Sequence, residues 1–167
     1  MTKRTSLAAV AITLCALPMA YAQQPATGDP APVASPSYGL PITLAQAKLL
    51  AASVEAQALK ANERDMVIAI VSPDGELVYF SKMDDATYVS IQLAQSKAVM
   101  AARYRMASGN LPPSGATGLP DAIVLKGGLP IVYQGKTIGA IGVTGAEAND
   151  VVFGQTAIDA LNKTVPK

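Results

Sequence analysis

The chain has 167 residues, half of them hydrophobic, with thirteen basic residues, twelve acidic residues, one cysteine and no histidine. A balance this close to neutral, without a run of Lys and Arg, argues against binding to nucleic acid or to a charged membrane surface. Without histidine, the chain cannot form a Ser-His-Asp or Cys-His catalytic system, and zinc, copper or non-haem iron sites lose their usual nitrogen ligand.

The first 22 residues have the pattern of a secretory signal peptide. Two basic residues, Lys3 and Arg4, precede an apolar run from Leu7 to Leu17. This run is shorter than the about 20 residues that a transmembrane helix needs. Ala20-Tyr21-Ala22 then forms a small-residue cleavage site, and cleavage would remove the one cysteine, Cys15. We therefore expect a periplasmic or secreted protein that is free of the membrane after signal cleavage.

A proline-rich segment separates the predicted signal peptide from the rest of the chain. Residues 23–39 hold four prolines among small polar residues, a composition with little apolar surface to bury, so we expect a disordered or extended tether there. Residues 40–167 are enough for one domain with a substantial core.

The first half of this domain has a helix pattern followed by a hairpin pattern. Thr43 and Gln46 match a capping box, so we expect a helix from Leu44 to about Ala61. Its apolar stripe consists of Leu44, Ala47, Ala51, Val54 and Ala58. The apolar run Met66–Val71 predicts a strand that is covered on both faces. Ser72-Pro73-Asp74-Gly75 predicts a type I turn into a second strand, Leu77–Ser81.

The second half predicts a helix, a loop, another hairpin and a last helix. A helical pattern covers Thr87–Arg105, and residues 106–121 are too rich in glycine and proline for regular structure. Val124–Tyr133 and Lys136–Gly145 predict two strands joined at Gln134-Gly135, and Asp150 can cap a final helix through about Leu161. The order of elements predicts an α+β fold, in which helices cover an antiparallel sheet.

Three glycines interrupt the last predicted strand. Gly139, Gly142 and Gly145 are spaced by three among β-branched and apolar residues. Each glycine forfeits side-chain packing and adds backbone entropy, so we expect another body to approach this backbone closely. A helix, a ligand or a neighbouring subunit would each meet this requirement.

Several short motifs, in their order and spacing, resemble the GlcG/HbpS family of haem-binding proteins. The resemblance covers most of residues 42–161. It rests on the last predicted hairpin and on Ser72-Pro73-Asp74-Gly75-Glu76-Leu77-Val78, Lys82-Met83-Asp84 and Ser90-Ile91-Gln92-Leu93-Ala94-Gln95-Ser96-Lys97-Ala98. It implies a profilin-like three-layer α/β/α domain with a central antiparallel sheet, self-association into a homo-oligomer, and binding of haem or a related small molecule.

Haem binding requires an apolar slot, cations for the propionates and usually an axial ligand. The mature chain would have neither histidine nor cysteine, so the axial ligand is open among tyrosines and methionines. The candidates are Tyr38, Tyr79, Tyr88, Tyr104, Tyr133, Met66, Met83, Met100 and Met106. Residues of both types are also common in cores and interfaces.

We expect the ligand-binding residues to include Lys97, Gly127, Gly128, Thr144 and Met83. Lys97 shares a helical face with small residues, so its ammonium can pair with a carboxylate, or its stem can lie along the apolar face while the head reaches water. The pair Gly127-Gly128 can present backbone amides to a ligand or form a bulge. The hydroxyl of Thr144 can touch a ligand or merely close the sheet.

The leading hypothesis is an exported small-ligand-binding protein, with haem as the ligand that the resemblance implies. The alternative is an enzyme or auxiliary factor that acts on a small organic acid or aldehyde in a catabolic pathway, with Lys97 forming a Schiff base. A third hypothesis is a scaffold whose assembly is its purpose. The absence of histidine and of a mature cysteine favours binding over catalysis. Asp84-Asp85 can supply oxygen ligands to a hard cation, although such neighbouring carboxylates are commonly solvated or capping.

Overall fold

The computed structural model describes residues 35–111 and 118–164. In chain order, the elements are α1 (Leu44–Lys60), β1 (Val67–Val71), β2 (Leu77–Lys82), α2 (Tyr88–Tyr104), β3 (Gly128–Tyr133), β4 (Lys136–Thr144) and α3 (Asp150–Thr164). The predicted signal peptide and most of the predicted tether lie outside the described residues. Within residues 35–111 and 118–164, no helix is long and apolar enough to cross a membrane.

The four strands form one antiparallel sheet in the order β2-β1-β4-β3. Ile70 of β1 is paired with Tyr79 of β2 on one side and with Ile141 of β4 on the other. Helix α2 covers one face of the sheet, while α1 and α3 cover the other. The predicted α+β fold with three α/β/α layers is therefore confirmed.

The two sides of the sheet differ in the size of their side chains. The layer beneath α1 and α3 contains large aliphatic side chains such as Ile68, Ile131 and Ile141. The layer between α2 and the sheet consists mostly of small residues, Ala94, Ala98 and Ala101 from α2 and Ala69 and Ala140 from the strands. Because successive residues of a strand point to opposite faces, β1 supplies both layers and needs a continuous apolar run. The small residues allow α2 to lie close to the sheet.

Gly139 and Gly142 of β4, and Gly145 directly after it, are covered by other parts of the same chain. A Cβ at Gly142 would overlap the carbonyl oxygen of Ala94 in α2, and one at Gly139 would overlap the carbonyl oxygen of Val71. At Gly145, a Cβ would lie 2.7 Å from the carbonyl oxygen of Asp65. The close neighbour that the glycine spacing predicted is thus the backbone of this chain. At Gly142 it is the backbone of α2.

Local turn and capping chemistry agrees with the sequence. Gln46 completes the capping box with Thr43, whose hydroxyl accepts from the Gln46 backbone N–H at 3.2 Å. The turn after β1 is closed by a hydrogen bond from the Gly75 N–H to the Ser72 carbonyl at 2.9 Å. Gln134 and Gly135 have φ angles of 49° and 74°, as a two-residue hairpin turn with right-handed twist requires.

The strand predicted from Val124 begins only at Gly128. The Ser108 hydroxyl, from the preceding loop, binds the backbone on both sides of this point. It accepts a hydrogen bond from the Gly128 N–H at 2.7 Å and donates one to the Leu125 carbonyl at 2.6 Å. Gly127 also has a φ of 112°, which interrupts extended backbone. The segment before Gly128 is therefore tied to the loop.

Two helix details also differ from the predictions. The prediction that Asp150 caps α3 is wrong, because the Asn149 carbonyl accepts from the Phe153 N–H at 2.9 Å and Asp150 is the first helical residue. The α3 helix continues to Thr164 rather than Leu161. The predicted apolar stripe of α1 is confirmed at Ala47, Ala51, Val54 and Ala58, which are all buried. It differs only in that Leu44 is exposed and Leu50 is buried.

The end of the predicted tether contacts the sheet and α2. The Thr137 N–H donates to the Ser37 carbonyl, and the Gly39 N–H donates to the Thr137 carbonyl, both at 2.9 Å. The Tyr38 hydroxyl donates to the Arg103 carbonyl at 2.9 Å. Residues 37–39 therefore extend the structured part of the chain by a few residues before the predicted start at residue 40.

Candidate functional site

A cleft of about 540 Å³ lies at one end of the sheet, where α2, the end of β4 and the start of α3 meet. We call it the Lys97 cleft. It is lined by Asp65, Thr87, Ser90, Leu93, Lys97, Leu125, Lys126, Thr144, Gly145, Glu147 and Asp150. Three elements that are distant in sequence thus place polar side chains around one cleft.

Lys97 is buried beside Asp150, with only 5% and 4% of the two side chains exposed. The Lys97 ammonium donates to Asp150 Oδ2 and to the Val143 carbonyl, both at 3.0 Å. Asp150 Oδ1 accepts from the Ala146 N–H at 3.1 Å. Lys97 therefore pairs with a carboxylate of its own chain, and the alternative in which its head reaches water is wrong.

Burial raises the pKa of the Asp150 carboxyl, while the hydrogen bond and charge of Lys97 oppose that increase. The two residues thus form a buried ion pair whose close hydrogen bonds offset only part of the desolvation cost of the carboxylate. An ammonium held in this way is not a nucleophile, because its nitrogen has no free electron pair. The geometry gives Lys97 a role in holding α2, β4 and α3 together.

Two polar atoms in residues that line the Lys97 cleft are buried without a hydrogen-bond partner among the described residues. They are Oγ1 of Thr144, in a residue that is 8% exposed, and Oδ1 of Asp65. Buried polar atoms in native proteins nearly always have a partner, so unpaired ones require an explanation such as water or a ligand. Sequence reasoning identified Thr144 but missed Asp65, which has no motif around it.

The five predicted ligand-binding residues do not form one site. Lys97 and Thr144 line the Lys97 cleft. Gly127 packs against the Lys97 side chain, and a Cβ at Gly127 would lie 3.0 Å from the Lys97 ammonium nitrogen. The Gly128 N–H is used by Ser108, and a Cβ at Gly128 would overlap the Lys97 carbonyl oxygen, so close packing explains this glycine. Met83 lines a different cleft.

The cleft at Met83 has a volume of about 420 Å³. It is lined by Glu55, Leu59, Arg64, Ser81, Lys82, Met83, Asp84 and Asp85. Within residues 35–111 and 118–164, no group of three or more His, Cys, Asp or Glu side chains is placed to hold a metal ion. Among the described residues, Asp84 and Asp85 are therefore not part of a group of three such side chains that could hold a cation.

A third depression, of about 510 Å³, lies between residues 39–46 and the β3–β4 hairpin. We call it the Tyr133 groove. It is lined by Gly39, Leu40, Pro41, Thr43, Gln46, Tyr133, Gln134, Lys136 and Ile138. The Tyr133 hydroxyl accepts from the Gln134 side-chain amide at 3.1 Å, and Leu40, Pro41 and Ile138 supply apolar surface. The groove exists because the segment before α1 packs beside β4, which sequence reasoning did not foresee.

The axial-ligand candidates differ in their surroundings. Met66 and Met100 are fully buried, and the hydroxyl of Tyr104 donates to the Pro120 carbonyl at 2.7 Å. The described residues that line the Lys97 cleft include no tyrosine and no methionine, so that cleft does not fit an iron-coordinated haem. The Tyr133 groove combines a phenol, the ammonium of Lys136 and an apolar wall, and these groups fit the requirements of haem.

Comparisons with known proteins place the chain in a family. A family model described as "Haem degrading protein HbpS-like" matches residues 42–159, and the chain belongs to this family. An uncharacterized 15.0 kDa protein in the dhaT-dhaS intergenic region of Citrobacter freundii is 33% identical over 133 residues, which cover 73% of this chain and 93% of that protein. Protein GlcG of Escherichia coli (strain K12) is 33% identical over 107 residues, which cover 60% of this chain and 78% of GlcG.

A solved structure agrees with this family. The crystal structure of the PduOC:Heme complex superposes with a TM-score of 0.66 and 26% identity, covering 74% of this chain and 96% of that chain. The GlcG/HbpS resemblance found in the sequence motifs is therefore confirmed.

Proposed function

We propose that the protein is an exported haem-binding protein and that haem binds in the Tyr133 groove. The proposal depends on the presence of the Tyr133 phenol and the Lys136 ammonium on one groove with an apolar wall. It is supported by the family, described as haem degrading, and by the similarity to a structure that contains haem. Together these observations favour haem over other small ligands for this groove.

Each residue of the groove has a chemical task in this proposal. Tyrosine is a known axial ligand of haem iron, so the Tyr133 oxygen would hold the iron, whose chemistry belongs to the bound cofactor. The Gln134 amide already donates to that oxygen and would stabilise its negative charge. Lys136 would pair with a propionate. Leu40, Pro41 and Ile138 would exclude water from the porphyrin edge.

Titration of the mature protein with haemin tests the proposal. We expect a saturable Soret shift at micromolar haemin and an affinity at least about tenfold lower for Tyr133→Phe, because the coordinating oxygen is lost. Tyr104→Phe is the matched control, since its hydroxyl is used by Pro120 outside the groove. The absence of a saturable shift in the wild-type protein, or equal affinities for wild type and Tyr133→Phe, would contradict the proposal.

Export and self-association belong to the same proposal. The pattern in residues 1–22 supports cleavage before Gln23, so the mature protein isolated from its native cells should begin at that residue. The family resemblance supports a homo-oligomer. Mass measurement of the mature protein in solution tests this, and a monomer with and without haemin would exclude both the oligomer and the scaffold hypothesis.

A further inference from the structure

We propose that the Lys97 cleft is a second binding site, separate from the Tyr133 groove, for a small uncharged compound that carries a hydroxyl group next to a carbonyl or a second hydroxyl. The two sites share no lining residue. This site does not depend on haem binding, so each can fail without the other.

The unpaired atoms of the cleft define the groups that the ligand must have. Oδ1 of Asp65 can accept a hydrogen bond, and Oγ1 of Thr144 can donate or accept one. The Lys97 ammonium has three N–H groups and two partners among the described residues, so one N–H is left to donate. A complementary ligand needs at least one donor for Asp65 and one acceptor for Lys97. A hydroxyl beside a carbonyl, or two adjacent hydroxyls, supplies both.

Burial argues that these atoms belong to a built site. Thr144 is more than nine-tenths buried, it lines the cleft at the end of β4, and its hydroxyl has no hydrogen-bond partner among the described residues. The charge of Asp65 acts on Asp150 in the direction that raises the Asp150 pKa, as expected of two carboxylates at one cleft. A bound compound that pairs with Asp65 and Thr144 removes the cost of leaving both atoms unpaired.

The charges of the cleft select against a carboxylate ligand. Two cations, Lys97 and Lys126, face three carboxylates, those of Asp65, Glu147 and Asp150. The positive charge of Lys97 is already neutralised by Asp150 at 3.0 Å. A carboxylate ligand would therefore enter without a free buried cation and next to Asp65, and both effects weaken its binding. Of the organic acids and aldehydes suggested by the sequence, the structure favours the uncharged class.

Leu93 and Leu125 supply the apolar surface of the cleft. They can contact the carbon atoms of the ligand while its oxygens pair with Thr144, Asp65 and Lys97. Such a distribution, with apolar walls and a few placed polar groups, is typical of small-molecule sites.

NMR titration with three probes of the same carbon skeleton tests this site. Glycerol and dihydroxyacetone are uncharged. Glycerate carries a carboxylate in place of one terminal hydroxymethyl group of glycerol. We expect saturable shifts of the Thr144 and Gly145 amide signals with glycerol or dihydroxyacetone, and at least about tenfold weaker binding of glycerate. Thr144→Val should weaken the uncharged probes about tenfold, whereas Thr144→Ser should keep their affinity because it keeps the hydroxyl.

Controls separate this site from haem binding and from misfolding. Thr156→Val removes an exposed hydroxyl that is bonded within α3 and should leave the titration unchanged. Thr144→Val should bind haemin like wild type, and Tyr133→Phe should keep the glycerol response. If Thr144→Val does not fold, Asp65→Ala replaces it, because this variant removes the proposed acceptor Oδ1 and should also weaken binding of the uncharged probes. No saturable shift with any probe, glycerate binding as tightly as glycerol, or unchanged affinity in the folded variants would overturn the proposal.

Discussion

The ammonium of Lys97 lies 3.0 Å from Oδ2 of Asp150, and this ion pair links the middle of α2 to the first residue of α3. These helices cover opposite faces of the sheet. Because Lys97 also donates to the Val143 carbonyl, the same ammonium holds the end of β4. Three elements are therefore joined at one buried charge beside the Lys97 cleft.

Removing one partner of this pair should strongly destabilise the protein. Lys97→Met or Asp150→Asn leaves the other group buried without its countercharge or its charged hydrogen bond, and we expect a loss of about 3–5 kcal/mol in the free energy of unfolding. The double variant that combines Lys97→Met with Asp150→Leu should recover much of this loss, because no uncompensated charge remains. Urea denaturation of the wild type, both single variants and the double variant measures the coupling.

The exposed ion pair between Arg103 and Asp121 provides the control. Arg103 Nη1 lies 2.5 Å from Asp121 Oδ2, but the two side chains are 44% and 38% exposed. Asp121→Asn should therefore lower the free energy of unfolding by less than about 1 kcal/mol. If Lys97→Met costs no more than Asp121→Asn, the ion pair is not the structural link described above.

The stability of the Lys97→Met variant should depend on pH more steeply than that of the wild type. Burial raises the pKa of the Asp150 carboxyl above its value in the unfolded chain, so the folded state keeps this proton to a higher pH. The contribution of Asp150 to the free energy of unfolding therefore falls as the pH rises from about 4 through the folded pKa. Without Lys97, the carboxyl loses its countercharge and its pKa rises further. The destabilisation relative to wild type should therefore be small in acid and larger at neutral pH.

Urea denaturation across this pH range measures the effect. Adding Asp150→Asn to Lys97→Met is the control, because it removes the titrating group and should flatten the difference. A destabilisation that stays constant between about pH 4 and neutrality would show that Asp150 is not the group responsible.

Gly142→Ala should be strongly destabilising, by about 2 kcal/mol or more in the free energy of unfolding. The new Cβ would overlap the Ala94 carbonyl oxygen and lie 2.8 Å from the Ala98 nitrogen, and neither backbone atom can move without shifting α2. Gly154→Ala is the matched control. The nearest atoms there are the side-chain carbons of Leu129 at 3.0 Å and Val143 at 3.4 Å, and alanine favours a helix interior by about 1 kcal/mol.

Thermal and urea unfolding of both glycine variants decide this prediction. Equal stability of Gly142→Ala and wild type would mean that α2 does not lie as close to β4 as the structure shows. A larger loss for Gly154→Ala than for Gly142→Ala would contradict the same packing.

Most of the fold followed from local signals in the sequence. The capping box at Thr43, the turn that ends at Gly75 and the Gln134-Gly135 turn each depend on residues within four positions of one another. The continuous apolar run of β1 predicted burial on both faces. The small residues that share a helical face with Lys97 are Ser90, Ala94 and Ala101, and this face of α2 is buried. These signals act before any tertiary contact forms.

The candidate sites could be predicted only in part. Lys97 and Thr144 were identified as special residues, but the glycines placed beside them in the prediction are explained by contacts within the chain, and Met83 lies in another cleft. Tyr133 was one of nine possible axial ligands. What distinguishes it is a groove whose other wall is formed by residues 39–46, and no spacing along the chain indicates that wall.

By itself, the sequence determined the order of the helices and strands, the antiparallel α+β class and the family, because periodicity, turn chemistry and ordered motifs are local properties. Only the tertiary structure decided that α2 covers Gly142, that Lys97 pairs with Asp150, and that Asp65 and Thr144 have unpaired atoms in residues of one cleft. Lys97 and Asp150 are 53 residues apart, and their meeting depends on how two helices pack on opposite faces of the sheet. Such contacts arise from the packing of whole elements, which local residue patterns do not encode.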